Sequence, residues 1–226
     1  MGAMKKRGRP RRSAYEKLRV VTWVKLVQQV SCAPLADLDR FYAPANPQGK
    51  RQRQCLWHKY QKGLVSPKDD GPTGQASVIS VVEQDYPGTA AWYRHLFWSV
   101  LERKALTWPE IQQVYLQLKG QWRYRLIDER HAREEFWRSR EGIRELGAEL
   151  IASPTLEAGT VILCLIAEAR LRLNRSDYLS GREAFACWLE QSPFRQKFAY
   201  SQGELLHLFA DVLGRDVLRR LGDYRM

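Results

Sequence analysis

The chain has 226 residues and carries 37 Lys and Arg against 25 Asp and Glu, which gives a formal charge of +12. Its length suits one large domain or two small ones, and its hydrophobic fraction of 44% excludes disorder of the whole chain. The longest apolar run, Val161 to Ala167, is well short of the roughly 20 residues that span a membrane. The basic N-terminus has no apolar stretch suited to a secretory signal, so we expect a cytoplasmic protein.

The positive charge is concentrated in the first third of the chain. Residues 1–75 contain 16 Lys and Arg and 5 Asp and Glu, whereas residues 76–226 contain 21 and 20. The two net charges are therefore +11 and +1. A block with such an excess is typical of proteins that bind a polyanion. The excess divides between residues 1–13, at +6, and residues 14–75, at +5.

In chain order, the first third is predicted to form a basic arm and three short helices. Six of the eight residues 5–12 are Lys or Arg, which predicts a flexible arm over residues 1–13. Apolar residues then recur at helical spacing, starting with Val20, Trp23, Val27 and Val30. The predicted helices are Tyr15–Val30, Leu35–Tyr42 and Gln52–Gln61, the last of them ended by Gly63. The stretch Ser66–Gly74 has the composition of a linker.

Residues 76–226 are predicted to be helical almost throughout. The apolar stretch 161–167 indicates a central buried segment, in a helix or in a strand. On the longest charged helix we expect exposed pairs such as Glu134–Arg138. The predicted segments are Ser77–Gln84 (a short helix or a strand), Thr89–Glu102, a helix capped by Thr107, Asp128–Ile151, Pro154–Leu173, Gly181–Gln191, and Gln202–Leu213 stopped by Gly214.

These elements predict an all-α fold with a small N-terminal three-helix unit and a larger multi-helix domain. The expected boundaries are residues 1–13 for the arm, 14–67 for the small unit, 68–75 for a linker and 76–226 for a scaffold that binds a partner or a second copy. The cysteines and histidines stand singly, so we expect no metal site and no cofactor. Cys164 and Cys187 are expected to be buried thiols. The expected core aromatics are Trp92, Tyr93, Phe97 and Trp98.

The arm contains the sequence Arg-Gly-Arg-Pro at residues 7–10, flanked by further basic residues. It resembles the AT-hook, a short motif of chromatin and regulatory proteins that binds the minor groove. The resemblance implies that Arg7 and Arg9 enter the narrow, negative groove over A·T pairs, that Gly8 permits close approach and that Pro10 keeps the strand extended. The implied phosphate-binding residues are Lys5, Lys6, Arg11 and Arg12. An RNA-binding arm, a localisation signal and a solubility tail are the alternatives.

The third predicted helix has an inward and an outward face. Leu56, Trp57 and Tyr60 are expected to pack inward, which leaves side chains that reach base edges and phosphates on the outside. With the basic stretch before the helix, the candidates are Lys50, Arg51, Arg53, Gln54, His58, Lys59 and Lys62. The ending 57–67 is similar to the end of the recognition region in phage-repressor-like helix-turn-helix domains, which implies a small helical DNA reader. A basic solvated helix without a ligand is the alternative.

One enzymatic pattern lies in the larger part. Arg125 and His131 resemble the loose Arg…His signature of all-α, metal-independent ribonucleases found in bacterial toxin and defence systems. The resemblance implies that His131 acts as acid or base and that Arg125 stabilises the phosphate transition state. Salt bridges of Arg130 and His131 with the neighbouring Glu134 and Glu135 are the alternative.

The sequence as a whole favours a sequence-preferring DNA-binding protein over an enzyme. We expect a regulatory or accessory factor of bacterial, phage or plasmid origin that associates with the nucleoid and prefers A·T-rich duplex DNA. Residues 76–226 are expected to bind a protein partner or a second copy, and no membrane. The alternatives are the ribonuclease or toxin described above and a nucleic-acid-binding subunit of a larger nucleoprotein complex, with RNA or DNA as its ligand.

Overall fold

A computed structural model describes residues 12–42, 55–69, 76–103, 105–128, 138–139 and 141–223. Over these ranges the regular secondary structure is α-helical, apart from one isolated antiparallel bridge between Ile127 and Arg138. The predicted all-α class is confirmed. The chain divides into two compact units, residues 1–93 and residues 94–226.

The first unit is built around its longest helix. Its helices are α1 (Ala14–Ser31), α2 (Leu35–Tyr42), α3 (Leu56–Gln61), α4 (Val78–Asp85) and α5 (Thr89–Tyr93). Helices α3 and α5 pack against α1, and α2 contacts α3 and α4. Trp23 and Val27 of α1 are fully buried, as their spacing predicted, whereas Val30 is 49% exposed. The side chain of Ser13 caps α1 by accepting a hydrogen bond of 2.9 Å from the backbone N–H of Glu16.

The boundary between the units lies after residue 93, whereas the linker was expected at residues 68–75. Residues 70–75 lie outside the described residues. Helix α5 belongs to the first unit because its aromatic side chains pack on α1. The indole N–H of Trp92 donates to Thr22 Oγ1 at 3.0 Å, and the ring centroid of Tyr93 lies 5.7 Å from that of Trp23. The indole and hydroxyl partners are 70 positions apart, so local sequence patterns do not reveal this attachment.

The second unit surrounds one almost fully buried helix. Its helices are α6 (Leu96–Glu102), α7 (Trp108–Gln117), α8 (Gly120–Leu126), α9 (Ile143–Ala152), α10 (Leu156–Leu171), α11 (Arg175–Gln191), α12 (Pro193–Gln196), α13 (Gln202–Leu208) and α14 (Ala210–Asp223). The apolar stretch 161–167 lies in α10 and is helical, and α6, α7, α9 and α11 pack against this helix. A Cβ atom on Gly159 would lie 2.5 Å from the Trp188 ring, so glycine permits the close approach of α10 and α11.

The long helix predicted over Asp128–Ile151 is wrong. Residues 138, 139, 141 and 142 are not helical, and residues 129–137 and 140 lie outside the described residues. The backbone N–H of Ser139 donates to the carbonyl of Leu126 at 3.0 Å, which returns the chain to the end of α8. Helix α9 begins afresh after Gly142, whose N–H donates to the Glu145 carboxylate at 2.7 Å. The prediction that Glu134 and Arg138 form an exposed pair is also wrong for Arg138, because its side chain is only 10% exposed.

Three further predictions concern helix ends and burial. The segment Thr89–Glu102 forms two helices, because His95 caps α6 by accepting from the backbone N–H of Phe97 at 3.1 Å. Gly214 adopts φ +70° and kinks α14, so the predicted interruption at this glycine is confirmed. Cys164 is buried as predicted, whereas Cys187 is exposed and that prediction is wrong. The four predicted core aromatics are confirmed as buried, namely Trp92, Tyr93, Phe97 and Trp98.

Candidate nucleic-acid interface

Helix α3 is held in place by an aromatic cluster on its inner side. Trp57 and Tyr60 are 1% and 6% exposed. The ring of Trp57 stacks on that of Trp23 in α1 at a centroid distance of 5.3 Å, and Tyr60 meets Trp23 edge-on at 6.3 Å. Burial raises the pKa of Tyr60, as it does for Tyr93, so these phenols stay neutral at physiological pH. The cluster therefore supports a basic helix without placing negative charge beneath it.

A carboxylate of α2 caps the start of α3. Asp39 is 7% exposed, and its Oδ1 accepts a hydrogen bond of 3.1 Å from the backbone N–H of Trp57. The N-cap residue of α3, Cys55, makes no capping hydrogen bond with its own side chain. Because the first N–H groups of a helix have no partner within it, the Asp39 carboxylate supplies what the local sequence lacks. Residues 43–54, which connect α2 to α3, lie outside the described residues.

The end of α3 is a Schellman motif centred on Gly63. The N–H of Leu64 donates to the carbonyl of Lys59 at 2.9 Å, and the N–H of Gly63 donates to that of Tyr60 at 2.8 Å. Gly63 has φ +62°, and a Cβ atom there would lie 3.2 Å from Cβ of Lys17 in α1. The predicted end of the helix at Gly63 is confirmed. The close contact also places the side chain of Lys17 beside the C-terminal end of α3.

The outer face of α3 is basic. His58, Lys59 and Lys62 are exposed, together with Gln61. Among the described residues, no carboxylate forms an ion pair with Lys59 or Lys62. Lys17 is exposed as well and adds a third lysine at this end of the helix. Sequence reasoning missed Lys17, because only the packing of α1 against Gly63 brings it there.

The root of the basic arm lies at the same end of α3. Glu16 Oε1 of α1 accepts a hydrogen bond from Ser66 Oγ at 2.5 Å and lies 3.2 Å from Nε of Arg12. Ser66 follows Gly63 by three residues, so the first described residue of the arm and the chain leaving α3 meet on one carboxylate. The Arg12 side chain is 14% exposed and is engaged by Glu16. Of the implied phosphate contacts of the arm, the one at Arg12 therefore faces a competing intramolecular partner.

The remaining predicted site residues fall outside the described residues. They are Lys5, Lys6, Arg7, Gly8, Arg9, Pro10 and Arg11 of the arm, Lys50, Arg51, Arg53 and Gln54 before α3, and His131 of the ribonuclease alternative. The structure therefore brings together His58, Lys59, Lys62 and Arg12, with Glu16, Ser66 and Asp39 as supporting residues that sequence reasoning did not identify. Nothing in the local sequence around Asp39 or Ser66 predicts these contacts, because their partners lie 18 and 50 positions away.

Arg125 of the ribonuclease alternative is bound by two carboxylates. Its Nε donates to Glu141 at 2.6 Å and its second nitrogen lies 2.9 Å from an oxygen of Glu149. The hydrogen bonds to Glu141 and Glu149 raise the pKa of Arg125, so the guanidinium remains charged and its donors are directed at protein groups. A transition-state phosphate would have to displace both carboxylates.

Comparison with known proteins finds no match: no family model, no curated protein and no solved structure is similar to this chain. Within the described ranges, no three His, Cys, Asp or Glu side chains are grouped in a way that could hold a metal ion. The helices of those ranges are also too short or too polar to cross a membrane.

Proposed function

We propose that this chain is a DNA-binding protein that grips duplex DNA with its N-terminal arm and helix α3. The observation that carries the proposal is the shared anchor: Glu16 binds both Arg12, at the root of the arm, and Ser66, just past the end of α3. The root of the arm and the end of α3 therefore lie at one place on the first unit. A regulatory or accessory factor on A·T-rich, nucleoid DNA is the role that this arrangement suits best.

The rigidity of α3 supports the proposal. Its start is capped by Asp39, its end is fixed by Gly63, and its inner face is stacked on Trp23. A basic helix held this firmly pays little ordering entropy on binding, because its backbone is already fixed. His58, Lys59 and Lys62 can then contact phosphates or base edges from a defined position.

The length of the arm also suits a second contact on the same duplex. Arg7 and Arg9 lie five and three residues before Arg12, and five extended residues reach at most about 18 Å. Half a turn of B-DNA measures roughly 17 Å, so these arginines can reach the minor groove that adjoins the major groove. The Arg-Gly-Arg-Pro sequence has the chemistry for that groove, since arginines are attracted to its negative potential over A·T pairs.

Three ligands in a fluorescence anisotropy titration separate the candidate roles: an A·T-rich duplex, a G·C-rich duplex of equal length, and single-stranded RNA. The variants are K59E/K62E, a deletion of residues 1–11, and the control K119E/R195E. The control changes the charge by the same amount at exposed residues of the second unit. The deletion keeps Arg12 and Ser13, so the cap of α1 stays intact.

We expect the wild-type chain to prefer the A·T-rich duplex. K59E/K62E should weaken binding by about tenfold or more, whereas the control should change it less than about threefold. Deleting residues 1–11 removes five Lys and Arg, so the slope of log K against log salt should fall by up to about 4 and the A·T preference should disappear. Equal affinity of the deletion variant and the wild type for DNA would show that the arm does not contribute to binding. Tighter binding to RNA than to either duplex would favour the nucleoprotein subunit instead.

A further inference from the structure

The turn between α10 and α11 contains a leucine in a conformation that leucine disfavours. Leu173 has φ +55°. Its N–H donates to the carbonyl of Arg170 at 3.1 Å, and the N–H of Asn174 donates to that of Ala169 at 2.9 Å. This is a Schellman motif whose left-handed position is usually occupied by glycine, because a Cβ atom there is strained.

Packing against the residues that the structure describes does not compensate for the strain. The Leu173 side chain is 91% exposed, the highest value among the large hydrophobic residues that the structure describes as exposed. Leu171, two residues earlier, is 40% exposed. By contrast, the next residue, Asn174, caps α11, because its Oδ1 accepts a hydrogen bond from the backbone N–H of Asp177 at 3.1 Å. A glycine at 173 would serve the fold at least as well, so packing within the described residues does not account for this leucine.

An apolar recess lies beside the leucine. Its volume is about 340 Å³, and it is lined by Ala169, Arg170, Leu173, Asn174, Arg175 and Tyr178. The aliphatic parts of the arginines and the Tyr178 ring give the recess an apolar wall next to a projecting apolar side chain. A single leucine- or phenylalanine-sized side chain from a partner fits a space of this size.

The exposed charge around the recess is positive. The Arg172 side chain is 56% exposed, although it lies 3.9 Å from Glu168 and over the ring of Trp108 at 5.2 Å, and Arg175 is exposed at the start of α11. The nearby acidic groups are already bound. Glu168 is 6% exposed and accepts from Arg138 Nε at 2.9 Å, and Asp177 accepts from Arg144 Nε at 2.9 Å. If the same surface of a second copy bound here, its arginines would meet Arg172 and Arg175 and repel them. The positive charge therefore favours an anionic partner.

We propose that residues 169–178, the Leu173 turn, form a docking site for an acidic protein segment that carries an apolar side chain. The apolar side chain enters the recess and packs against Leu173, while carboxylates on either side pair with Arg172 and Arg175. A protein segment suits the site better than DNA, because the recess accepts a projecting apolar side chain and a phosphate backbone has none to offer. The inference does not depend on the DNA-binding role of the first unit.

The test uses the full chain and a set of fluorescein-labelled peptides in which Glu and Asp alternate with Leu or Phe. A matched set replaces Leu and Phe by Gly, and another replaces Glu and Asp by Lys. The variants are Leu173→Gly and R172Q/R175Q, and the control is Leu116→Ala at an exposed leucine of α7 that is 40% exposed. Binding is followed by anisotropy and thermal stability by Tm.

We expect at least one acidic-apolar peptide to bind at least tenfold more tightly than its two matched counterparts. Leu173→Gly and R172Q/R175Q should each weaken that peptide at least tenfold, and Leu116→Ala should leave it unchanged. Because glycine relieves the strain, Leu173→Gly should keep the wild-type Tm or raise it by up to about 4 °C. If Leu173→Gly loses peptide binding and keeps its Tm, unfolding is excluded as the cause of the loss.

Several results would overturn the proposal. One is the absence of binding by every acidic-apolar peptide at millimolar concentration. Another is equal affinity of the wild type and Leu173→Gly. Displacement of the bound peptide by an oligonucleotide, with R172Q/R175Q lowering DNA affinity, would assign the turn to nucleic acid instead. Sedimentation of the wild type as a dimer and of Leu173→Gly as a monomer would assign it to self-association.

Discussion

The two units differ in how several of their basic side chains are paired. In the second unit, arginines are paired with carboxylates far along the chain: Arg125 with Glu141 and Glu149, and Arg138 with Glu168. In the first unit, lysines such as Lys59 and Lys62 stay exposed on a helix whose inner face is neutral and aromatic. The comparison teaches that carboxylates neutralise these arginines of the second unit, whereas the described residues provide no carboxylate partner for Lys59 and Lys62 of the first unit.

The largest expected effect tests the buried pair of the second unit. Arg138→Met removes a close partner of Glu168, whose side chain is 6% exposed, and leaves a buried carboxylate whose distance to Arg172 is 3.9 Å. We expect the free energy of unfolding in urea to fall by about 3–5 kcal/mol. The control Arg144→Met breaks an ion pair in which the arginine is 62% exposed, and should cost less than about 1 kcal/mol.

The double variant R138M/E168L sharpens this prediction. Replacing both partners removes the buried charge altogether, so it should recover most of the stability lost in Arg138→Met. Equal losses in Arg138→Met and Arg144→Met would show that the second unit does not depend on buried charge, and the contrast between the units would fail.

A pH-dependent effect tests the cap of α6 in the same unit. His95 Nδ1 accepts from the backbone N–H of Phe97 at 3.1 Å, and burial lowers the pKa of His95 to about 4. The unfolded chain binds a proton at this histidine below about pH 6.5, whereas the folded chain resists protonation until about pH 4. The contribution of His95 to stability is therefore complete above pH 6.5 and is lost as the pH falls from 6.5 to 4. The loss should amount to about 3 kcal/mol.

The measurement compares the wild type with His95→Asn in urea from pH 7.5 to pH 4. Asparagine is a good N-cap and does not titrate, so the two proteins should have similar stability at pH 7.5, and the wild type should lose about 3 kcal/mol more by pH 4. His207→Asn, at an exposed histidine of α13, is the control. Parallel curves for the wild type and His95→Asn would contradict the prediction.

The helices were predictable from the sequence where periodicity and capping residues carry the signal. Helix α2 has the predicted bounds, and Gly63 ends α3 because a left-handed turn there needs glycine. The failure over residues 128–151 has a physical cause. Helical spacing suggests a local i, i+4 partner for Arg138, Glu134, which lies outside the described residues. In the structure Arg138 pairs with Glu168, 30 residues later, and the next residue, Ser139, bonds back to Leu126, so long-range contacts that local periodicity does not encode hold this segment.

The site was predictable in its chemistry and not in its assembly. The outward residues His58, Lys59 and Lys62 follow from the inward positions of Trp57 and Tyr60 on the same helix. The contacts that fix the helix and join it to the arm were not predictable, since they cross 18 positions from Asp39 to Trp57 and 50 positions from Glu16 to Ser66. Tertiary packing alone brings such polar partners together.

The smallest expected effect on stability tests the shared anchor of the first unit. Ser66→Ala removes the hydrogen bond to Glu16 without changing the net charge, and should lower the free energy of unfolding by about 1 kcal/mol. If Glu16 holds the arm and the end of α3 together for one ligand, the same change should weaken A·T-rich duplex binding by about threefold, because the two elements lose their common anchor. In the chain that lacks residues 1–11, Ser66→Ala should leave the affinity unchanged, since no arm remains to be positioned. A double-mutant cycle measures this coupling. An identical loss of affinity with and without the arm would mean that Ser66 acts on α3 alone, and that the two basic elements of the first unit bind independently.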